Sequence, residues 1–139
     1  MDTLIYRLTN DYPDVTFTES DRFMFTPPNV ICYQSPDRSL PTNKASLLLL
    51  HELSHYILHH QNYDSEIGLL KLEVQAWATA KKLIKKYQVI WDEEIKDDYL
   101  DSYRELLHRR SICPNCQING FFSENDHSYH CPSCEKTWN

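Results

Sequence analysis

The sequence predicts an α+β fold: a small domain of short β-strands and three main helices, followed by a β-hairpin module at the C-terminal end. Apolar residues recur at strand and helix periods up to about residue 110, whereas the chain beyond Ser111 is rich in Cys, Asn, Ser and His. A length of 139 residues with 41% hydrophobic side chains suits one sizeable core and one small satellite. We therefore divide the chain into residues 1–110 and 111–139.

The first part of the chain is predicted to hold one short helix and three short strands. Their expected limits are residues 1–9 for the helix and 15–18, 23–25 and 29–33 for the strands. The strand segments are rich in β-branched and aromatic residues, which favour a pleated backbone. The third strand, which includes Val30, Ile31 and Tyr33, comes just before the most apolar helix.

Three longer helices are predicted from the recurrence of apolar side chains every three to four residues. Their expected limits are about 42–60, 67–87 and 93–110. Thr42 and Asn43 are the candidate N-caps of the first helix, and Asp92 is the candidate N-cap of the third. Small alanines on the apolar stripe of the second helix would allow a neighbouring helix to approach closely.

The segment His51-Glu52-Leu53-Ser54-His55 carries the clearest chemical signal in the chain. Residues four apart on a helix differ by about 40° in direction, so the imidazoles of His51 and His55 can meet at one metal ion. Glu52 then lies beside the metal rather than on it. This is the zincin arrangement, in which the glutamate takes the proton of the attacking water while zinc polarises the scissile carbonyl. Glu52 is therefore the candidate catalytic residue.

The alternative interpretation of this segment is an amphipathic helix whose histidines only take part in packing. The run of leucines at 47–50 predicts that the segment is largely buried. A buried polar group without a partner costs about 1–3 kcal/mol. Because a shared metal ion would remove that cost for both histidines, the metal site is the interpretation that we prefer.

A catalytic zinc ion needs a third protein ligand and an open position. Gln61 stands where a third histidine would complete a metzincin site, so that subclass is disfavoured. Glu73 is the preferred ligand, because it opens the segment Glu73-Val74-Gln75-Ala76 on the next helix, beside the apolar stripe. Glu66 and Asp64 compete with it, and an ordinary surface carboxylate is the alternative role for Glu73.

Residues 48–60 (LLLHELSHYILHH) and 73–80 (EVQAWATA) together resemble the ImmA/IrrE family of metallopeptidases. Members of that family carry HELGH followed by a leucine and one or two histidines, and then a helix of the form E-x-x-A-x-x-x-A. Ser54 stands where the family usually has glycine. Carried over residue by residue, the resemblance implies that His51, His55 and Glu73 are the zinc ligands. It implies that Glu52 is the catalytic glutamate.

The resemblance also implies a regulatory zinc endopeptidase with a protein partner. Family members often act in bacteria, phages and mobile elements by cleaving a helix-turn-helix transcriptional repressor, so a repressor of this kind is the expected substrate. We expect an extended substrate to add to the strand around Val30, Ile31 and Tyr33 and to leave its scissile carbonyl beside the zinc. The group that stabilises the oxyanion is left open among Tyr33, Tyr63 and His108.

The C-terminal part predicts a second zinc site. Cys113-Pro114-Asn115-Cys116 and Cys131-Pro132-Ser133-Cys134 form two knuckles separated by fourteen residues. This spacing is typical of a zinc ribbon, in which four thiolates hold a structural ion and a hairpin lies between the knuckles. Two disulfides are disfavoured for a chain that opens without an export signal. The sequence thus predicts two zinc ions, one catalytic and one structural.

The composition disfavours nucleic-acid-binding and membrane proteins. A net charge of −6 disfavours direct nucleic-acid binding, and no apolar run reaches the roughly 20 residues of a membrane span, so a cytoplasmic protein without a membrane partner is expected. Two alternatives to the regulatory endopeptidase stay open: a non-cleaving, zinc-folded regulatory or binding module, and an SprT-like protease that acts on DNA-bound proteins. Glu52 favours an enzyme, because a non-catalytic descendant would have little reason to keep the base. Glu73 disfavours the SprT-like class, which uses a third histidine.

Overall fold

The computed structural model describes residues 1–61 and 66–139, except the side chains of Glu66 and Ile67. Within these residues the chain is α+β. The helices are α1 (Asp2–Asp11), α2 (Thr42–Ile57), α3 (Glu66–Tyr87) and α4 (Glu93–Arg110). The strands are β1 (Thr16–Glu19), β2 (Met24–Thr26), β3 (Val30–Tyr33), β4 (Phe121–Ser123), β5 (Ser128–His130) and β6 (Thr137–Trp138). No helix of the described part is long and apolar enough to cross a bilayer.

The three strands predicted before the motif helix are confirmed and form one sheet in the order β1-β3-β2. Strand β3 lies in the centre, because it pairs in parallel with β1 and antiparallel with β2. Its residue Ile31 is completely buried and packs in the main core. Strands β1 and β2 are therefore the two edges of this sheet.

Helix α2 lies at the centre of the domain. Every residue from position 45 to position 55 is buried, which includes the leucine run and the whole HELSH segment. The hydrophobic core around it draws its buried members from residues 4 to 100, and none of them comes from the C-terminal module. The prediction that the motif helix is buried is confirmed.

The predicted N-caps of α2 are wrong. Pro41 occupies the N-cap position, and no side chain caps the helix. Asn43 instead binds the backbone of Ile90: its Oδ1 accepts from the Ile90 N–H at 3.0 Å, and its Nδ2 donates to the Ile90 carbonyl at 2.9 Å. Because Ile90 follows α3, this pair of bonds fastens the start of α2 to the link between α3 and α4.

Helix α2 also ends earlier than predicted, at Ile57 rather than near His60. His59 adopts a left-handed conformation with φ of 55°. The His59 N–H donates to the Tyr56 carbonyl at 3.1 Å, and the His60 N–H donates to the His55 carbonyl at 3.0 Å. These two bonds form a Schellman motif, which reverses the chain and places His60 over the last turn of the helix.

Helices α3 and α4 agree closely with their predicted limits. Ala76, Trp77 and Ala80 of α3 are buried, as the predicted apolar stripe requires, although Trp77 lies beside the stripe rather than on it. Asp92 caps α4, accepting from the backbone N–H groups of Glu94 and Ile95, and this prediction is confirmed. The small side chains of α3 allow close packing against α2, which bears directly on the position of Glu73.

The C-terminal module begins where α4 ends at Arg110, and its sheet has the order β4-β5-β6. The predicted hairpin is confirmed as β4 and β5, whereas the third strand, β6, was not predicted. Gly120 leaves room for the ring of Trp138, whose Nε1 donates to the Arg110 carbonyl at 2.8 Å. This bond holds the end of the chain against the end of α4.

Candidate metal centre and cleft

Three ligand groups converge between α2 and α3. His51 and His55 lie on successive turns of α2, Glu73 lies on α3, and all three side chains are buried. The two Nε2 atoms of His51 and His55 are 3.2 Å apart. Glu73 places Oε2 at 2.8 Å from His51 Nε2 and Oε1 at 3.4 Å from His55 Nε2.

The arrangement fits a bound divalent metal ion. For nitrogen and oxygen ligands about 2.05 Å from zinc, a tetrahedral site has edges of about 3.3 Å, close to the distances between these atoms. Glu73 Oε2 is buried without a hydrogen-bond partner, although His51 Nε2 is only 2.8 Å away. The two atoms are near each other but not aligned for a hydrogen bond, as expected of ligands that point to a common centre. The predicted ligand set is therefore brought together.

The protonation states of the site also suit metal binding, which requires deprotonated ligands. Burial opposes ionisation of Glu73, but the adjacent His51 and His55 rings outweigh it and lower the pKa of this carboxyl to about 2. Burial lowers the pKa of His51, and the nearby Glu73 carboxylate only partly counteracts this. At neutral pH the site thus offers a carboxylate and a neutral His51 imidazole.

Glu52 lies beside the three ligands rather than among them. It is only 4% exposed, and its Oε2 accepts a 2.8 Å hydrogen bond from the backbone N–H of Phe25 in β2. Burial raises the pKa of Glu52 to about 7, and the charge of Glu73 acts in the same direction. The charge of His55 and the Phe25 N–H act in the opposite direction. A carboxyl in this setting can exchange a proton near neutral pH.

A cleft of about 260 Å³ opens over this site. Strand β2 forms one side, and the end of α2, α3 and α4 form the others. Its lining residues are Phe23, Met24, Phe25, Pro27, Glu52, His55, His60, Gln61, Leu69, Leu72, Glu73, Tyr99 and Tyr103. Neither Tyr99 nor Tyr103 was predicted as a site residue from the sequence, because only the packing of α4 brings them to the cleft.

Each histidine ligand has a different environment on its outer side. His55 Nδ1 lies 2.9 Å from His60 Nδ1, and His60 Nε2 lies 3.1 Å from Gln75 Oε1. His51 Nδ1, by contrast, is buried with no hydrogen-bond partner among the described residues. The His51 ring is held by packing, since it stacks on Trp77 with ring centroids 4.4 Å apart.

The predicted substrate strand is wrong. Strand β3, which holds Val30, Ile31 and Tyr33, is paired on both sides, so its backbone cannot accept another strand. The strand order could not be read from the sequence. Strand β2 is the edge that borders the cleft, through Met24 and Phe25.

Two of the three candidates for the oxyanion-stabilising group lie in the described part of the chain, and neither is at the cleft. Tyr33 and His108 do not line it. Tyr63 lies outside the described residues, as does Asp64, one of the competing ligands. The side chain of Glu66, the other competitor, is also undescribed.

The four predicted cysteines of the C-terminal module come together as one cluster. Cys113 and Cys134 have sulfurs 3.6 Å apart, the Cys116 and Cys131 sulfurs are 3.3 Å apart, and the Cys116 and Cys134 sulfurs are 3.8 Å apart. Four sulfurs at about 2.3 Å from zinc form a tetrahedron with edges of about 3.8 Å. The cluster therefore fits one four-thiolate metal site.

Backbone N–H groups lie near two of the four sulfurs, those of Cys131 and Cys113. Burial opposes ionisation of Cys131, but the N–H groups of Ser133 and Cys134, each 3.4 Å from its sulfur, hold the pKa of this thiol below its ordinary value. The Asn115 N–H lies 3.4 Å from the Cys113 sulfur. These N–H···S contacts belong to the two knuckles and indicate a zinc ribbon.

Comparisons of the chain with protein-family models, with curated proteins and with solved structures give no match. A functional assignment therefore depends on the chemistry of the two sites.

Proposed function

We propose that the protein is a zinc-dependent endopeptidase whose catalytic metal is held by His51, His55 and Glu73 and whose general base is Glu52. One observation carries the proposal: a buried carboxyl with a pKa near 7 stands at a cleft beside three buried ligands without being one of them. A purely structural metal site would not need that extra carboxyl. The resemblance of the motif residues to the ImmA/IrrE family supports the same assignment.

A zinc ion held by these ligands would act as a Lewis acid on a carbonyl oxygen. Glu52 would accept the proton of the attacking water and pass it to the leaving amine. Its Oε2 is occupied by the Phe25 N–H, which leaves Oε1 for the water. The same hydrogen bond fixes the side-chain rotamer, so that the base is held in place before substrate arrives.

Tyr103 is the preferred donor to the developing oxyanion. Burial raises its pKa to about 12 and raises the pKa of Tyr99 further, so both phenols stay protonated at neutral pH. Tyr99 packs against the rings of His51 and Trp77. Tyr103 is partly exposed in the same cleft and can meet a substrate. A protonated phenol is one of the donors that stabilise tetrahedral intermediates of acyl transfer.

An extended peptide segment is the substrate form that the cleft suits best, since strand β2 is the sheet edge beside it. The resemblance points to a cytoplasmic helix-turn-helix repressor of a bacterium, phage or mobile element as the protein that supplies this segment. The buried carboxylate ligand, Glu73, argues against the SprT-like alternative, which uses a third histidine.

The test compares cleavage of a co-encoded helix-turn-helix repressor by the wild type and by Glu52→Gln, with fragments identified by mass spectrometry. The amide of the variant keeps an oxygen for the Phe25 N–H but cannot take a proton from water. We expect about a 10²–10⁴-fold loss of rate with unchanged zinc content. Glu105→Gln, on the exposed face of α4, is the matched control and should cleave normally. Equal cleavage by Glu52→Gln would refute the mechanism, and tight binding without cleavage by the wild type would favour the regulatory module.

A further inference from the structure

The outer nitrogen of His55 begins a short chain of side-chain contacts that leads away from the metal site. Its Nδ1 lies 2.9 Å from His60 Nδ1, and His60 Nε2 lies 3.1 Å from Gln75 Oε1. His60 follows α2, whereas Gln75 is on α3, two residues after the ligand Glu73. We call these three side chains the His55 relay.

The contact between the two Nδ1 atoms restricts where the protons can be. A neutral imidazole carries one proton, on either Nδ1 or Nε2. Two Nδ1 atoms at 2.9 Å need one proton between them, because two protons clash and two lone pairs repel. The proton on His55 Nδ1 therefore implies a bare His60 Nδ1, and hence a proton on His60 Nε2.

The acceptor at the far end of the relay matches this arrangement. His60 Nε2 faces Gln75 Oε1, which can only accept. With the amide in the opposite orientation, His60 would carry its proton on Nδ1 and His55 would carry its proton on Nε2. A protonated Nε2 cannot bind a metal ion. The relay and metal binding thus share a single arrangement of protons.

We propose that His60 and Gln75 are positioning residues that hold the proton of His55 on Nδ1 and so aim its Nε2 lone pair at the metal site. The inference rests on the metal site of the proposed function, but not on peptidase activity. It fits the inner contact of His55 as well: His51 Nε2 lies 3.2 Å from His55 Nε2, so both nitrogens face the same position between α2 and α3.

The end of α2 explains how His60 reaches its partner. The 6→1 bond of the Schellman motif, from the His60 N–H to the His55 carbonyl, places these two residues next to each other. A hydrophobic contact usually joins such residues, but here two imidazoles take its place. His59, in the left-handed conformation, reverses the direction of the chain, and its side chain is exposed.

The direct test is nuclear magnetic resonance of protein labelled with ¹⁵N in its histidines. We expect a scalar coupling across an N–H···N bond between the Nδ1 atoms of His55 and His60, with the proton on His55, before and after addition of zinc. His60 should be the Nε2–H tautomer in both states. A proton on His60 Nδ1, or no coupling in the zinc-loaded protein, would overturn the proposal.

Variants give a second readout, the affinity for zinc alone. The ring-proton shifts of His51 and His55, followed with a competing chelator, distinguish this site from the four-cysteine site. We expect His60→Ala to bind zinc about 10–100-fold more weakly, and Gln75→Ala to show a smaller loss because this contact is exposed to water. His60→Asn should recover most of the affinity, since its Oδ1 stands where the acceptor Nδ1 was.

The matched control is His59→Asn, which changes the neighbouring exposed histidine to a residue that tolerates the left-handed conformation. It should bind zinc like the wild type. Wild-type affinity in His60→Ala would refute the relay. If the wild type itself bound no zinc at His51 and His55, the proposed function would fail, whereas the coupling measured without zinc would still decide the relay.

Discussion

The backbone N–H of Phe25 donates a 2.8 Å hydrogen bond to Oε2 of Glu52. This contact joins the edge strand β2 to the carboxyl that we propose as the general base. It satisfies an N–H group that faces the cleft rather than a neighbouring strand. Glu52 therefore has a structural role toward β2 in addition to its proposed role in proton transfer.

The double role of Glu52 predicts that two substitutions differ in stability. Glu52→Gln keeps an acceptor for the Phe25 N–H and should unfold close to the wild type. Glu52→Ala leaves that N–H without its partner and should lower the free energy of unfolding by about 1–3 kcal/mol. Urea denaturation of the metal-free proteins measures the difference. Equal stability of the two variants would show that the bond contributes nothing.

The separate core of residues 4 to 100 predicts that a chain ending at Arg110 folds without the C-terminal module. No module residue belongs to that core, and the described contacts between the parts include one Trp138 hydrogen bond and an exposed ion pair between Lys71 and Glu124. An exposed ion pair contributes at most about 1 kcal/mol. We expect a cooperative thermal transition and one bound zinc ion, against two in the full chain. A molten, insoluble product would contradict the division.

The close contacts around Gly120 predict that the C-terminal module does not tolerate a larger residue at this position. A Cβ atom at this position would lie 2.5 Å from Cη2 of Trp138 and 2.7 Å from the carbonyl oxygen of His130. Gly120→Ala should therefore displace Trp138 and destabilise the module by about 1–3 kcal/mol. Tryptophan fluorescence during zinc chelation follows this loss, and Asn125→Ala in the exposed turn is the control. An unchanged chelation midpoint would contradict the predicted clash.

Asp11 predicts a contribution to stability that depends on pH. Its Oδ2 accepts from the Tyr87 hydroxyl at 2.7 Å and lies 3.2 Å from Lys86 Nζ, which joins the end of α1 to the end of α3. The Tyr87 hydrogen bond, followed by Lys86, lowers the pKa of Asp11 below 3.8. The folded protein therefore stabilises the ionised form of Asp11 relative to the unfolded chain. This stabilisation is complete above the pKa that Asp11 has in the unfolded chain, and it is lost as the pH falls through the lower pKa of the folded protein.

Asp11→Asn should accordingly have a lower melting temperature than the wild type at pH 6 to 7. The difference should shrink as the pH falls below about 4. Asp14→Asn, at a nearby exposed carboxyl, should show little of this pattern. A difference in melting temperature that is constant from pH 7 to pH 3 would contradict the charge-based explanation.

The position of Tyr103 in the cleft predicts that its hydroxyl contributes to kcat of the proposed peptidase. Tyr103→Phe removes the hydroxyl but keeps the ring, and should lower kcat by about 10²-fold with little change in KM if the hydroxyl acts mainly in the transition state. Tyr6→Phe, on an exposed face of α1, is the control. An unchanged kcat in Tyr103→Phe would transfer the role to another group in the cleft.

The parts of the site that depend on local spacing were predictable from the sequence. The separation of His51 and His55 fixes their common face on any helix, and the paired knuckles fix the four cysteines. The cap at Asp92 is equally local, because a carboxylate needs only the next few N–H groups to satisfy. These features were confirmed without knowledge of the tertiary structure.

The parts that depend on packing were not predictable. Asn43 has the composition of an N-cap, but its amide pairs with Ile90, which is distant in the chain. His59 takes the left-handed position that usually signals itself through glycine, so the end of α2 was placed too late. The order of the three strands, which excludes β3 as a docking strand, and the presence of Tyr103 at the cleft follow from contacts between distant elements.

Because three buried candidate ligands converge on one position, the free energy of unfolding depends on the concentration of a metal ion that binds there. An ion that binds only the folded protein adds RT ln(1 + [L]/Kd) to the free energy of unfolding, which is about 1.4 kcal/mol for every tenfold rise in free zinc above Kd. Each of the two candidate sites would couple the folding of its own part of the chain to the concentration of free metal. The supply of a metal ion that fits these sites would thereby raise the folded fraction of this protein.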